Sequence, residues 1–246
     1  MARSDFSPPP PLEHWLDAGP VALFLDFDGT LVELAPGPDA IQPVEGLAGK
    51  LAALAGRLDG RCAVVSGRGI ADIEKHLGPL DLAAAGSHGS DIRAADGTTL
   101  GDMPTSLPPE IERELRAYAA EHSLDYEEKP HGGALHYRSA PEKGEAAQAF
   151  GEALAARHGW VAQDGKCVVE LVAGKADKGT AVAALMDSAP FKGSRPIFLG
   201  DDLTDEKGFA VCNDMGGSSI LVGTREPTIA QHQLPDVTSV HRWLGL

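Results

Sequence analysis

Five apolar residues, Val21 to Leu25, run straight into Asp26 and then, one residue on, Asp28, in the stretch VALFLDFDGTLVEL. A short, wholly apolar run of this kind predicts a strand covered on both faces, as in the interior of a parallel sheet. The same grammar recurs. RCAVVS (61–66) leads into Gly67 and Arg68, RPIFLG (195–200) leads into Asp201 and Asp202, and SSILVG (218–223) is a further strand. Helical stripes lie between them: Leu47, Leu51, Leu54 and Leu58 within 43–58, then 69–77, 177–186, 204–212 and 236–244. Strand alternating with helix predicts an α/β, doubly wound parallel sheet. In such sheets ligands bind beyond the carboxyl ends of the strands, which is where the polar residues of this chain gather.

The middle of the chain reads differently. After a strand entering a glycine-rich turn (82–89), a helix is predicted over 107–122, and LDYEEK and ALHYR read as strands joined by Pro130–Gly133. A helix over 141–158 and a hairpin over 160–171, turning at Asp164-Gly165, follow. This is an α+β module with an antiparallel sheet. The expected organisation is a flexible N-terminal segment (1–19, with prolines at 8–11), a core from 20–93 plus 172–246, and an inserted domain at 94–171.

The formal charge of −15 (21 basic against 36 acidic residues) disfavours nucleic acid and anionic membranes as partners, and an anionic substrate would need a local cation. Cys62, Cys167 and Cys212 are too widely spaced for a metal-thiolate site and read as buried thiols of a reducing, cytoplasmic compartment. No apolar run reaches the length of a membrane span, and the first residues lack the apolar segment of a secretory signal.

Two carboxylates at the end of a buried strand repel each other and call for a cation. An EF-hand loop also begins D-x-D, but here its sixth and twelfth positions hold Leu31 and Gly37. A plain turn at Asp28-Gly29 leaves Asp26 unexplained. If the strands at 21–26, 61–65 and 196–199 are neighbours, Asp26, Ser66, Asp201 and Asp202 converge, with Lys178 at the start of a helix. Such a set suits Mg²⁺ and a phosphate group.

DFDGT (26–30), VVSGR (64–68), KADKG (175–179) and GDDLTDE (200–206) resemble, in order, the four motifs of the haloacid dehalogenase-like (HAD) phosphohydrolases. GSHG (86–89), EEKPHGGALHYR (127–138), GKCVVEL (165–171) and FLGDDLTDEKGFAV (198–211) narrow the likeness to the trehalose-6-phosphate phosphatase family. The resemblance implies a HAD-like core with an inserted α+β cap domain. It implies Asp26 as nucleophile, forming an aspartyl phosphate, and Asp28 as general acid and then base. Ser66 and Lys178 would hold the phosphoryl oxygens, and Gly67 would line their loop. The metal would be held by Asp26, Asp28 through its carbonyl, and Asp201, with Asp202 as the second candidate or a partner of Lys178. Asp205 is expected to support the loop, and Arg68 to pair with a carboxylate for structure.

In the cap, Glu127, Lys129 and Glu170 would bind the distal glucose, with His136 and Arg138 facing the same cleft; a cross-strand ion pair is the plainer alternative. His88 and Gly89 would touch the sugar from the core. The implied reaction is Mg²⁺-dependent hydrolysis of trehalose 6-phosphate. A HAD phosphatase for another sugar phosphate, such as sucrose 6-phosphate or a hexose phosphate, is the alternative, and a silent phosphosugar-binding subunit a third reading. A trehalose-6-phosphate synthase is the expected metabolic neighbour, without direct contact.

Overall fold

The computed structural model describes residues 6–35, 40–101, 106–129, 131–165, 167–174 and 176–246. In chain order the elements are α1 (Leu12–Asp17), β1 (Val21–Leu25), α2 (Leu47–Arg57), β2 (Cys62–Val65), α3 (Ile70–Leu77), β3 (Ala83–Gly86) and β4 (Asp91–Arg93). Next come α4 (Pro109–His122), β5 (Asp125–Lys129), β6 (Gly132–His136), α5 (Gly144–His158), β7 (Val161–Gly165) and β8 (Val168–Val172). The chain closes with α6 (Lys178–Asp187), β9 (Arg195–Gly200), α7 (Asp205–Asp214), β10 (Ser218–Val222), β11 (His232–Leu234) and α8 (Val237–Leu244). They form two compact units, Met1–Gly101 with Asp177–Leu246, and Asp102–Ala176.

The first unit holds a seven-stranded sheet in the order β11-β10-β9-β1-β2-β3-β4. Every pairing is parallel except β3 with β4. β1 is buried along its whole length, as its composition requires. Its period-two alternation divides the core. Val21, Leu23 and Leu25 pack with residues of α1, α2, α3 and α8, whereas Ala22 and Phe24 pack with α6 and α7. Helices therefore cover both faces. The crossover from β1 to β2 runs on one face and that from β9 to β10 on the other. A switch point thus opens between β1 and β9, above their carboxyl ends.

Two features of this unit differ from the expected domain bounds. Residues 12–17 are not a flexible tether: they form α1, with Leu12 and Trp15 buried in the core and the Trp243 indole N–H donating to Pro10 O at 2.8 Å. The first boundary lies at 101 rather than 93, because Ala94 N donates to Thr98 O and Leu100 N to Ile92 O, folding this stretch back onto β4. β4 and β11, three residues each, are too short to show a period in the sequence.

The second unit is an antiparallel sheet, β5-β6-β8-β7, with α4 and α5 on one face. Ile111, Leu115 and Ala119 of α4 and Ala147, Leu154 and Ala155 of α5 pack against Leu135, Val169 and Leu171 of the strands. The register pairs Lys129 with Gly132 and Gly165 with Val168. Gly132, Gly133, Asp164 and Gly165 thus lie in strands, and both turns are tighter than the sequence implied. Cys167 takes the left-handed backbone (φ 63°) in the second turn; Pro130, Lys166 and Lys175 lie outside the described residues. The unit ends at 176 rather than 172, where the Gln163 side-chain amide donates to Ala176 O at 2.5 Å.

Candidate active site

Asp26 follows β1, with its backbone N–H donating to Leu199 O of β9 at 2.9 Å. That bond continues the parallel ladder and aims the carboxylate past the strand ends. Lys178 opens α6 immediately after its N-cap, Asp177, which forms a capping box with Thr180. Its ammonium donates to Asp26 Oδ1 at 2.7 Å and Asp205 Oδ1 at 2.6 Å. Carboxylate oxygens of Asp26, Asp201 and Asp205 all lie within 4.8 Å of one another. Two carboxylates therefore share one ammonium with a third beside them, and all but Asp201 are almost fully buried.

The electrostatics follow from that imbalance. Burial pushes the Asp26 carboxyl up to about 8; the Lys178 charge opposes this, while Asp202 and Asp201 add to it. Burial likewise pushes Asp201 up to about 7, aided by the charges of Asp205 and Asp202. Asp205 is raised by burial and by Asp26. Burial alone would lower Lys178, but Asp205 and Asp26 outweigh it and hold the ammonium charged. Taking carboxylates out of water without enough positive charge is costly, so the donor set suits a further cation.

Asp202 lies differently. Its Oδ1 accepts from Thr204 N at 2.8 Å and Thr204 Oγ1 at 2.7 Å, folding the loop after β9. Burial would raise it, but the Lys178 charge and these bonds hold it below its ordinary value. Asp205, expected only to support that loop, does so through Oδ2, which accepts from Asp202 N at 2.9 Å, and is also part of the carboxylate cluster. Gly29 (φ 78°) sits against this loop: a Cβ there would fall 2.2 Å from Asp201 Oδ2, so the DFDGT turn and the Asp201 carboxylate need the missing side chain.

Ser66, at the end of β2, is buried and its Oγ accepts from Arg68 N at 3.1 Å. The Arg68 guanidinium grips both oxygens of Asp28, at 2.6 and 2.9 Å. Gly67 lies beneath the His88 ring, so closely that a Cβ would come within 2.6 Å of it. His88 N donates to Ser66 O at 3.0 Å, and Gly89 abuts the Asp177 carbonyl at the start of α6. Asp26, Asp28, Ser66, Gly67, His88, Gly89, Lys178, Asp201 and Asp202 are thus carried by the loops beyond β1, β2, β3 and β9 and by the first turn of α6.

In the second unit the register sets Glu127, Ala134 and Glu170 in one row across β5, β6 and β8. Their neighbours Leu135, Val169 and Leu171 point into the helical core, so this row faces the other way. Lys129 Nζ donates to Glu170 Oε2 at 2.9 Å and lies 4.0 Å from Glu127 Oε2; His136 Nε2 and Glu127 Oε2 are 2.7 Å apart. Four of the five expected residues are thus brought together by the sheet. Arg138 lies two residues beyond β6 and is exposed.

Residues 24–238 match the family model described as trehalose-phosphatase. The trehalose-6-phosphate phosphatase of Escherichia coli (strain K12) is 38% identical over 228 residues, covering 92% of this chain and 85% of that protein. The chain belongs to the trehalose-phosphatase family. Its fold is shared by the C-terminal domain of a C. albicans trehalose-6-phosphate phosphatase (TM-score 0.78, 21% identity, 98% of each chain). It is shared too by a Bacteroides thetaiotaomicron phosphatase of the haloalkanoate (HAD) superfamily (TM-score 0.62, 14% identity, 100% of this chain and 96% of that one). The HAD-like α/β class read from the sequence holds for this member of the trehalose-phosphatase family.

The sequence reading of this family member missed one bracing group. Arg225, beyond β10, donates through Nε to Asp201 O at 3.3 Å and through Nη1 to Pro227 O at 2.6 Å, and pairs with Glu206. Glu206 also accepts from Ile229 N at 2.9 Å. The backbone of Asp201 is thereby tied to a loop that no motif marks. The acid at the end of GDDLTDE was the available signal, since an acid beside a metal-type loop needs a counter-charge.

Proposed function

We propose that this chain hydrolyses trehalose 6-phosphate to trehalose and phosphate, with Mg²⁺, through an aspartyl phosphate on Asp26. The observation that carries the reading is the buried Asp26–Lys178–Asp205 cluster, with Asp201 beside it, at the carboxyl end of β1.

Asp26 and Asp201 are the side chains to hold Mg²⁺, together with the Asp28 carbonyl. Asp205 is less suited, because its two oxygens already serve Lys178 and the Asp202 N–H. Bound Mg²⁺ neutralises charge on the phosphoryl oxygens. Lys178 and Ser66 take the remaining phosphoryl oxygens. An Asp26 oxygen bonds to phosphorus as the bond to the sugar oxygen breaks, and that oxygen takes a proton from Asp28. Water then attacks phosphorus, giving its proton to Asp28, and the Asp26–phosphorus bond breaks. A sugar alkoxide is a poor leaving group, so the acid matters most in the first half. Positioning and charge neutralisation supply the rest.

The second unit reads the sugar. Glu127, Lys129 and Glu170 bind the distal glucose, with His136 and Arg138 at its edge and His88 and Gly89 touching the sugar from the core. These acceptors and donors match the hydroxyls of a disaccharide better than an apolar ligand. No helix of the described residues is long and apolar enough to cross a membrane, and the three cysteines are free thiols; we place the enzyme in the cytoplasm, where a trehalose-6-phosphate synthase would supply its substrate.

Phosphate release tests the reading on trehalose 6-phosphate, sucrose 6-phosphate, glucose 6-phosphate and p-nitrophenyl phosphate, each with Mg²⁺ and with EDTA. A Mg²⁺-dependent preference for trehalose 6-phosphate is expected. Equal turnover of all four would keep the chemistry and discard the substrate. No release from any would discard both.

A further inference from the structure

We propose that Arg68, anchored by Asp72, is the positioning residue that aims the Asp28 carboxylate at the leaving oxygen; this rests on the phosphatase reading above. Arg68 lies in the loop between β2 and α3. Its Nε donates to Asp28 Oδ2 at 2.6 Å and its Nη2 to Asp28 Oδ1 at 2.9 Å. This two-pronged geometry fixes the plane of the carboxylate as well as its place, which a single bond cannot do. The guanidinium is itself held: Nη1 donates to Asp72 Oδ2 at 2.7 Å, and the Phe27 ring centroid lies 5.9 Å from it. Asp72 belongs to the first turn of α3, four residues beyond Arg68. The loop backbone is pinned where Ser66 Oγ accepts from Arg68 N. Three carboxylate bonds to one guanidinium describe a strut rather than a ligand for phosphate.

The functional consequence concerns the first half-reaction. Asp28 follows the strand on a sharp chain reversal, where Gly29 N donates to Val32 O at 2.7 Å. An acid on such a turn can sweep through several rotamers, and only some of them reach the leaving oxygen. Arg68, from the loop that opens at Ser66, and Asp72, from the first turn of α3, restrict that choice.

The test is kcat/KM, which reads the steps up to departure of the leaving group, in wild type, Asp28→Asn, Arg68→Ala, Arg68→Lys and Asp72→Asn. Substrates are trehalose 6-phosphate and a series of aryl phosphates of rising leaving-group basicity. p-Nitrophenolate leaves without a proton, so Arg68→Ala should stay within about threefold of wild type there and fall by roughly a hundredfold on trehalose 6-phosphate. The loss should grow along the aryl series, as should that of Asp28→Asn. Asp72→Asn should show the same split at about tenfold, and it serves if the alanine variant does not fold. Added guanidinium ion should restore Arg68→Ala on basic leaving groups only. Equal losses on every ester, or none, would overturn the proposal. A split in Asp28→Asn without one in Arg68→Ala sinks this inference alone; no split in Asp28→Asn sinks the acid reading beneath it.

Discussion

Each unit of the chain gathers acids around one lysine, and the two clusters differ in burial rather than in the kinds of charge they bring together. Lys178 sits between Asp26 and Asp205, with side-chain exposures of 2%, 5% and 0%. Lys129 sits between Glu170 and Glu127, with exposures of 15%, 4% and 46%. In the first, water cannot screen the excess negative charge, so the fold must fix it and a cation must complete it. In the second, water reaches at least one carboxylate, and a sugar hydroxyl can replace that water at small cost. The same pairing of carboxylates with an ammonium thus suits phosphoryl chemistry in one place and hydroxyl recognition in the other.

The comparison breaks first, and most severely, at the buried cluster. Asp26→Asn should lower phosphate release from every ester by at least about ten-thousandfold, since no other group can accept the phosphoryl. Its melting temperature without metal should not fall, because one carboxylate of an over-acidic cluster is gone. Lys178→Met should cost activity on all esters too, and also about 3–5 kcal/mol of stability, because Asp26 and Asp205 lose their buried partner. Urea unfolding measures this. Lys129→Met, at the open cluster, should show no comparable loss; equal losses would erase the distinction between the two sites.

Metal and pH sharpen the same contrast. Burial raises Asp26 to about 8 and Asp201 to about 7, against an unfolded value near 3.9. Between those values the folded chain keeps protons that the unfolded chain releases. The stability this contributes is full below about pH 4 and is lost as pH rises through 7 to 8. Mg²⁺ binds the ionised carboxylates, so it should raise the melting temperature more at pH 8 than at pH 5.5. Asp26→Asn should shrink that difference. Scanning calorimetry decides, and an equal or larger gain at pH 5.5 would count against a metal at this pair.

Much of this was legible in the sequence because it rests on strong local signals. Apolar runs ending in polar residues gave β1, β2 and β9, and their shared ends placed Asp26, Ser66 and Asp201. Lys178 was legible as a helix start, since Asp177 and Thr180 form the capping box. What stayed hidden depends on long-range contact. Nothing local says that Asp205 turns inward to Lys178, 27 residues away, while Asp202 folds its own loop. The grip of Arg68 on Asp28 spans 40 positions, and only the Arg68–Asp72 spacing hinted at it. Short edge strands and α1 carry too few residues to show a period. The turn chemistry misled at Asp164-Gly165: both residues pair within the ladder, and Cys167 takes the left-handed backbone.

The smallest effects should come from the open cluster, and they rank by burial. Glu170 lies mid-strand, almost buried, between Val169 and Leu171; Glu127 is on the edge strand and half exposed. Removing Glu170 strips Lys129 of its 2.9 Å partner and leaves Glu127 at 4.0 Å. Glu170→Ala should therefore lower kcat/KM on trehalose 6-phosphate by about a hundredfold, Glu127→Ala by about tenfold and His136→Ala by about threefold, each within about twofold of wild type on p-nitrophenyl phosphate. The aryl ester has no second sugar to read, so it reports only on the first unit. If Glu170→Ala slows both esters equally, its carboxylate holds the β6–β8 sheet together and the cross-strand ion pair is all that this cluster is.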